Sequence, residues 1–227
     1  MKQDDERIFD IKDVVNRKPI RMDGKYHKDA CEKSIDEIGE YLPWLANSSN
    51  WSLKQHQAYM QKLGKERMPE STRSFWWNGE LVGMGHLRIS DWANSGELFY
   101  WVTTGFDGLG LGEHIARTMI KIGFSHIPYH HLVIKTDRDN VGSKRIMEKV
   151  GAEHGLYMGY TTHRNKQSNM VLWYLDSPLA KAMGRYDAKY LFNPLSAGVT
   201  NVRFQTALDP DYSAVSDPSL IRKKNDN

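Results

Sequence analysis

The chain has almost no cysteine. Cys31 stands alone among 227 residues, which excludes an intramolecular disulfide framework and suits a reducing compartment. No apolar run approaches the roughly 20 residues that a membrane-spanning helix needs. The opening stretch, MKQDDERIFD, is charged and lacks the apolar centre of a secretory leader, so a soluble cytoplasmic protein without a membrane partner is expected. Charge of one sign is also scarce. A net charge of +3 gives no electrostatic case for nucleic acid as a partner. There is no internal repeat and no low-complexity tract.

What is present is an ordinary globular balance, 40% hydrophobic and 26% charged, with seven tryptophans as the one oddity. Tryptophans in that number fill a large core or wall a pocket. The length allows one good core, or a core domain plus an appendage.

Along the chain, RIFDIKDVVNRKPIRM predicts one or two short strands around a polar turn at Asn16-Arg17. Lys28 to Leu42 carries helical apolar spacing through Ala30, Ile35, Ile38 and Leu42, with Pro43 expected to end it. SLKQHQAYMQKLGK is a second helix, opened by Ser52 and closed by Gly64. The period then changes to two. RSFWW, the turn Asn78-Gly79, and LVGMGHLRI predict a hairpin. A turn at 92–96 leads into ELFYWVTT, a third strand. A helix follows from about Leu111 to Phe124, with Leu111, Ile115, Met119 and Ile122 as its apolar stripe, widened by Ala116 and Ile120. HHLVIKTD is a buried strand, and Asn140 caps a short helix from Val141 to Val150 that Gly151 stops. A last hairpin joins GLYMGYTTH to SNMVLWYL across RNKQ. The fold class is therefore α+β, or mixed α/β layers, with helices covering a largely antiparallel twisted sheet. Residues 1–176 form the predicted domain. Residues 177–227 change texture and are expected to be an extension, with VTNVRF as an extra strand and the polar end as a packing arm or tail.

Between the third strand and its following helix lies TTGFDGLGLGEHIART, with Gly108, Gly110 and Gly112 at every second position. Glycines at this density are costly in conformational entropy, so the turn needs bare backbone. One reading is a tight strand-to-helix connection in which Gly112 lets the helix pack on the sheet. The other is an anion site built from backbone N–H groups and the helix dipole. G-x-x-x-x-G-K-[ST] is absent, and G-x-G-x-x-G fails at Glu113 and at Ile115, which argues against nucleoside triphosphatases and nicotinamide enzymes.

These residues resemble the GNAT superfamily of N-acetyltransferases, whose pyrophosphate loop reads Q/R-x-x-G-x-G/A and is matched here by Asp107 to Gly112. Within it, DWANSGELFYWVTTGFDGLGLGEHIA and DRDNVGSKRIMEKVGA look like the corresponding passages of RimJ/RimL-type ribosomal-protein N-acetyltransferases. The resemblance extends over roughly residues 18–176 and is weaker before Glu97. It implies the acyl-CoA N-acyltransferase fold, acetyl-CoA as donor, and an amine acceptor. The backbone of Gly108, Leu109, Gly110, Leu111, Gly112 and Glu113 would hold the pyrophosphate. Trp101, Val102 and Thr103 would pair with the pantetheine arm, and Asn140 and Ser143 would contact it. Arg117, Lys121, Lys144 and Arg145 are candidates for the 3′-phosphate, each equally a solvated helix residue. Asp107 departs from the motif, because a carboxylate beside a pyrophosphate is repulsive. Its side chain is expected to point away or to face a cation.

Direct transfer needs a neutral amine, a stabilised oxyanion and a protonated leaving thiolate. Glu97 matches the family's general base and shares a strand face with Phe99, Trp101 and Thr103, where an aromatic setting would raise its pKa. The alternative reading of the same residue is a surface glutamate at a strand start. An α-amine titrates near ~8 and a lysine near ~10.4, so an α-amine needs little help. Ser143, three after Asn140 and eight before Gly151, is the candidate acid; Met147 occupies the position where other branches carry tyrosine. A backbone N–H of Trp101–Thr103 would supply the oxyanion donor. Ala152 and Asn169 depart from the family pattern on the acceptor side.

For metal, His126, His130 and His131 lack a helix-spaced or cysteine partner, so none is expected. Cys31 is expected in the core, since direct transfer needs no acyl-enzyme. Trp44, Trp51, Trp76 or Trp77, and the hairpin from Tyr157 to Asn169 are candidates to frame the acceptor; Trp44, Trp76 and Tyr157 are the substrate residues singled out. Three functions stay open: a protein α-amine acetyltransferase, a small-molecule acetyltransferase acting on an antibiotic, toxin or amino-acid derivative, and a non-catalytic acyl-CoA-binding module. The extension is also a candidate homodimer surface.

Overall fold

The computed structural model describes residues 8–67, 70–89, 95–126, 131–154, 156–160, 162–163, 170–178, 199–201 and 204–206. In chain order the elements are β1 (Val15–Arg17), α1 (Gly24–Ile38), α2 (Pro43–Ser48), α3 (Leu53–Gly64), β2 (Ser71–Trp77), β3 (Glu80–Ile89) and β4 (Ser95–Val102). They continue with α4 (Leu111–His126), β5 (His131–Asp137), α5 (Val141–His154), β6 (Leu156–Tyr160), β7 (Thr162–His163), β8 (Met170–Asp176), β9 (Val199–Asn201) and β10 (Phe204–Thr206). Eight strands make one sheet in the order β1-β2-β3-β4-β5-β8-β6-β10. Its described pairs are antiparallel except β4 with β5. The α+β, largely antiparallel architecture expected from the sequence is the one found.

The two faces of the sheet divide the interior, and the register shift in the β2–β3 pairing at Phe75/Trp76 separates Val82 from Met84. Leu98 and Val82 pack with Leu111, Ile115, Met119 and Trp173 in one cluster, while Trp101, Met84 and Trp76 pack with Ala30, Met60 and Leu63 in another. Helices α4 and α5 serve the first cluster and α1 and α3 the second, so β4 is covered on both faces. The Asn78-Gly79 turn takes positive φ at both residues, 47° and 82°, as a two-residue hairpin requires. Helix α3 opens on a reciprocal capping box between Ser52 and Gln55.

The differences from the sequence reading have physical causes. Helix α1 begins four residues earlier than expected because its buried face is His27, Ala30, Cys31 and Ser34, whose polar members conceal the helical period. Pro43 does not end that helix; it starts α2 from its first turn, where a missing N–H costs nothing. Asn16 and Arg17 form part of β1 rather than a turn, since Arg17 is fixed by two 2.7 Å bonds to Asp23 and lies 4.6 Å over the Trp76 ring. Helix α5 runs through Gly151 to His154. VTNVRF contributes to two short strands, of which β10 joins the main sheet edge on β6. The turn at 92–94, the RNKQ connection and the remainder of 179–227 lie outside the described residues.

A half-buried polar chain gives a pH prediction. His86 Nδ1 lies 3.0 Å from the Thr72 hydroxyl, which donates to Glu66 at 2.6 Å. Burial, with Arg88 adding to it, pushes His86 down to about 4. The unfolded chain takes up this proton near pH ~6.5 and the folded chain near 4. Stability contributed by neutral His86 is therefore full above about pH 6.5 and falls as the pH drops toward 4, by at most about 1.4 kcal/mol per pH unit. Glu66, whose pKa is raised by burial, acts in the opposite sense at the acid end. Urea midpoints from pH 7.5 to 4.5 should fall less steeply in His86→Gln than in the parent; equal slopes would refute this.

Candidate active site

The site begins where two strands part. β4 and β5 run parallel from Ser95↔His131 to Leu98↔Ile134, where their register ends. β4 continues to Val102 still paired with β3, and β5 continues to Asp137 still paired with β8. Each strand follows its outer neighbour, and the sheet opens between them. The backbone of Phe99–Val102 is left with an edge that β5 does not cover, and unmatched strand edges invite an extended guest. A cleft of ≈ 450 Å³ occupies the opening, lined by Phe99 to Val102, Ile134 to Asp137 and the glycine turn.

At its mouth the glycine turn meets α4. The first helical bond after the turn is His114 N–H to Gly110 C=O at 3.1 Å. The N–H groups of Leu111, Gly112 and Glu113, all on the cleft wall, have no acceptor within the helix. Gly108 and Gly110 hold φ of 73° and 79°, and a Cβ at either would meet nothing within 4 Å. The space over these residues is open, with the positive end of a 16-residue helix behind it. Gly112 has a different role, because a Cβ there would lie 2.7 Å from Ile146 Cδ1, so it sets the packing of α4 on α5. Asp107 is exposed and lines the cleft, and its Oδ2 accepts the Gly105 N–H at 3.2 Å, so the carboxylate folds back on its own turn. Leu109 is exposed and does not line the cleft.

Asn140 caps α5 by accepting the Ser143 N–H at 2.9 Å, which holds Ser143 on the cleft wall beside Asn140. Ser143 Oγ lies 2.9 Å from the hydroxyl of Tyr100, a β4 residue that also lines the cleft. Burial pushes Tyr100 up to about 12, with the Ser143 bond partly offsetting it, so this phenol keeps its proton at neutral pH. Sequence reasoning missed Tyr100. The signal was available, since it lies on the strand face opposite Trp101, but only the fold puts that face against α5.

Glu97 sits in a different setting from the one expected. Its carboxylate is held by Lys135 at 2.8 Å and Arg88 at 3.5 Å, and Arg88 lies over the Phe99 ring. It is set back from the cleft wall, which Lys135 reaches. Thr103 is not available to a ligand as expected: its N–H donates to Val82 and its hydroxyl to Leu81, at 2.9 and 2.8 Å. Of the four cations weighed as candidates for the 3′-phosphate, Arg145 lines the cleft, joined by Lys149, which the sequence reading did not consider. Arg117 is bridged to Glu113 at 2.9 Å.

On the acceptor side, Ile38, Tyr41 and Leu42 from the α1–α2 connection line the cleft with Trp101. Trp44 stands behind them, 6.1 Å from Trp101 edge to face. Trp76 lies away from the cleft, its indole N–H bonded to Ser74 and its ring packed on Arg17 and Tyr26, so it is a packing residue. Tyr157 lies in β6 opposite Tyr174; its side chain is outside the described residues. Of the histidines weighed for metal, His126 ends α4, His131 is buried in β5, and His130 lies outside the described residues. No described helix is long and apolar enough to cross a membrane.

Comparison with known proteins agrees with this geometry. Residues 25–153 match the profile of the acetyltransferase (GNAT) domain. Among solved structures, a probable acetyltransferase shares 17% identity over 73% of this chain and 93% of its own, with a TM-score of 0.62. RimL, a ribosomal L7/L12 α-N-protein acetyltransferase in complex with coenzyme A, shares 14% over 74% and 95%, with a TM-score of 0.61. The aminoglycoside acetyltransferase AAC(6′)-Ib in complex with coenzyme A shares 15% over 76% and 99%, with a TM-score of 0.56. No curated protein matches the chain by sequence.

Proposed function

The chain belongs to the GNAT acetyltransferase family, and from that premise we propose that it transfers the acetyl group of acetyl-CoA to the N-terminal α-amine of a protein or peptide. Acetyl-CoA is the donor, and the transfer needs no metal. The observation that carries the choice of acceptor is the wall of Ile38, Tyr41, Leu42 and Trp101, apolar and aromatic without a carboxylate. Of the carboxylates elsewhere in the cleft, Glu113 is paired with Arg117 and Lys149, and Asp107 and Asp137 lie at the glycine turn and before α5, away from this wall, where each accepts a backbone N–H. A polycationic antibiotic wants free carboxylates, whereas a peptide end wants apolar side-chain contact and one place for its amine.

In this reading the N–H groups of Gly110 to Glu113 receive the pyrophosphate and the open β4 edge receives the pantetheine arm. The neutral amine attacks the thioester carbon, the C–N bond forms, and the C–S bond breaks. Ser143, held 2.9 Å from the Tyr100 hydroxyl, passes its hydroxyl proton to the departing sulfur as that bond breaks and regains a proton from solvent. The surplus proton on nitrogen leaves through water to Glu97, which exchanges an ion pair for it. The catalytic domain spans 1–176, and residues 177–227 extend it, with β10 lengthening the sheet at β6.

The test is mass-spectrometric detection of acetylated product from a panel of peptides with free N-termini, N-terminally blocked peptides with lysine, and aminoglycosides. Free N-termini should be preferred. Preference for an aminoglycoside would establish the small-molecule reading, and no product from any amine would establish a binding module. In the same assay Glu97→Gln should lower kcat/KM about tenfold at pH 7 and converge on the parent above pH ~8, where the amine is already neutral. A loss that does not change with pH would make Glu97 a positioning residue.

A further inference from the structure

Behind the acceptor wall, α1 and α3 bring three metal-donor side chains to one point. His27 and Cys31 are four residues apart and so share one face of α1, and His56 comes from α3. All three are buried, and their donor atoms lie within 4.8 Å of one another. His27 Nδ1 is 2.8 Å from His56 Nδ1, and Cys31 Sγ is 3.7 Å from the His27 ring nitrogens. Zinc takes nitrogen at about 2.0–2.1 Å and thiolate at about 2.3 Å in a tetrahedron, which separates N from N by about 3.3 Å and N from S by about 3.6 Å. The sulfur is at ligand spacing from His27 and within 4.8 Å of the His56 donor, so the two rings need to part by about half an ångström and His56 and Cys31 to draw together by up to about an ångström.

We propose that His27, Cys31 and His56 bind a zinc ion that ties α1 to α3. The three side chains supply three of its four ligands and a water the fourth, and the ion is separate from acetyl transfer. In its absence the two rings are joined by one N–H···N bond. On binding, the ring that carried that hydrogen holds it on Nε2 instead, and the Cys31 thiol gives its proton to solvent, so one proton is released per ion. Ser48, buried and donating its hydroxyl to the Leu45 carbonyl at 2.7 Å, neighbours the Cys31 thiol and the His56 ring. Trp44, Trp51 and Tyr59 pack on the two rings. Trp101 meets His27 edge-on, so the ion would brace the same indole that lines the cleft.

The test uses the full, untagged chain produced under reducing conditions in zinc-supplemented medium. Elemental analysis should find about one zinc per chain. After chelation, cobalt(II) should give the visible bands of a four-coordinate ion together with a thiolate-to-cobalt charge-transfer band. Cys31→Ser should lose the charge-transfer band, and zinc should raise the Tm of the parent but not of that variant. A folded parent with less than about 0.1 zinc per chain and no charge-transfer band would overturn the site. The parent alone decides the matter, so a variant that fails to fold leaves the test intact.

Discussion

Gly110→Val should weaken acetyl-CoA binding about a hundredfold, roughly 2.7 kcal/mol, while leaving the fold in place. Gly110 has φ of 79°, where an L-residue costs roughly 1–2 kcal/mol and a β-branched one more. Because a Cβ there meets nothing within 4 Å, the substitution clashes with no protein atom. The turn can instead relax out of its left-handed conformation and take the following N–H groups out of alignment. Acetyl-CoA must then restore the turn at the expense of its own binding energy. The added methyls also occupy the open space that the phosphate would enter. Gly79→Val is the matched control, with φ of 82° and equally open space but a place in the β2–β3 hairpin turn. Calorimetric titration with acetyl-CoA should separate the two. A Gly110→Val loss smaller than threefold, or an equal loss in Gly79→Val, would show that the turn does not hold the pyrophosphate.

Ser143→Ala should lower kcat by about a hundredfold with little change in the KM for acetyl-CoA, as expected when a group serves the leaving thiolate alone. Tyr100→Phe keeps the buried ring and removes only the hydroxyl that lies 2.9 Å from Ser143, so its loss should be about tenfold. The two hydroxyls act as a unit. The double variant should therefore be no slower than Ser143→Ala, because Tyr100 has nothing to orient once Ser143 is gone. Multiplicative losses would mean that Tyr100 touches the reacting atoms independently. A change confined to KM would reduce Ser143 to a contact for the pantetheine arm. Because burial holds Tyr100 near 12, no step in the rate profile between pH 6 and 9 should be assignable to its ionisation.

Local chemistry made much of this legible. Asn78-Gly79 announced a hairpin because few residues accept two successive positive φ angles, and the hairpin is there. Ser52 and Gln55 announced α3 because their side chains answer N–H groups that any helix leaves open. Asn140 did the same for α5 and thereby placed Ser143. Where polar side chains lie in the interior the pattern was silent: His27, Cys31 and Ser34 are the buried face of α1, so neither its start nor the histidine–cysteine pairing showed in hydropathy. H-x-x-x-C was present as spacing, but its third member, His56, arrives from another helix.

The sequence by itself determined most of the elements, the glycine turn and the identity of the residues beside it, since these depend on dihedral preference, capping and period within a few residues. Only the tertiary structure decided how the site is assembled. It parted β4 from β5 after Leu98 because each strand stays paired with its outer neighbour. It put Tyr100 against Ser143, 43 positions away, and turned Asp107 back onto its own loop. It also enclosed Glu97 between Lys135 and Arg88 rather than among aromatics. These are contacts across the sheet and between layers, where burial and pairing between distant segments set the outcome and local preference has no say.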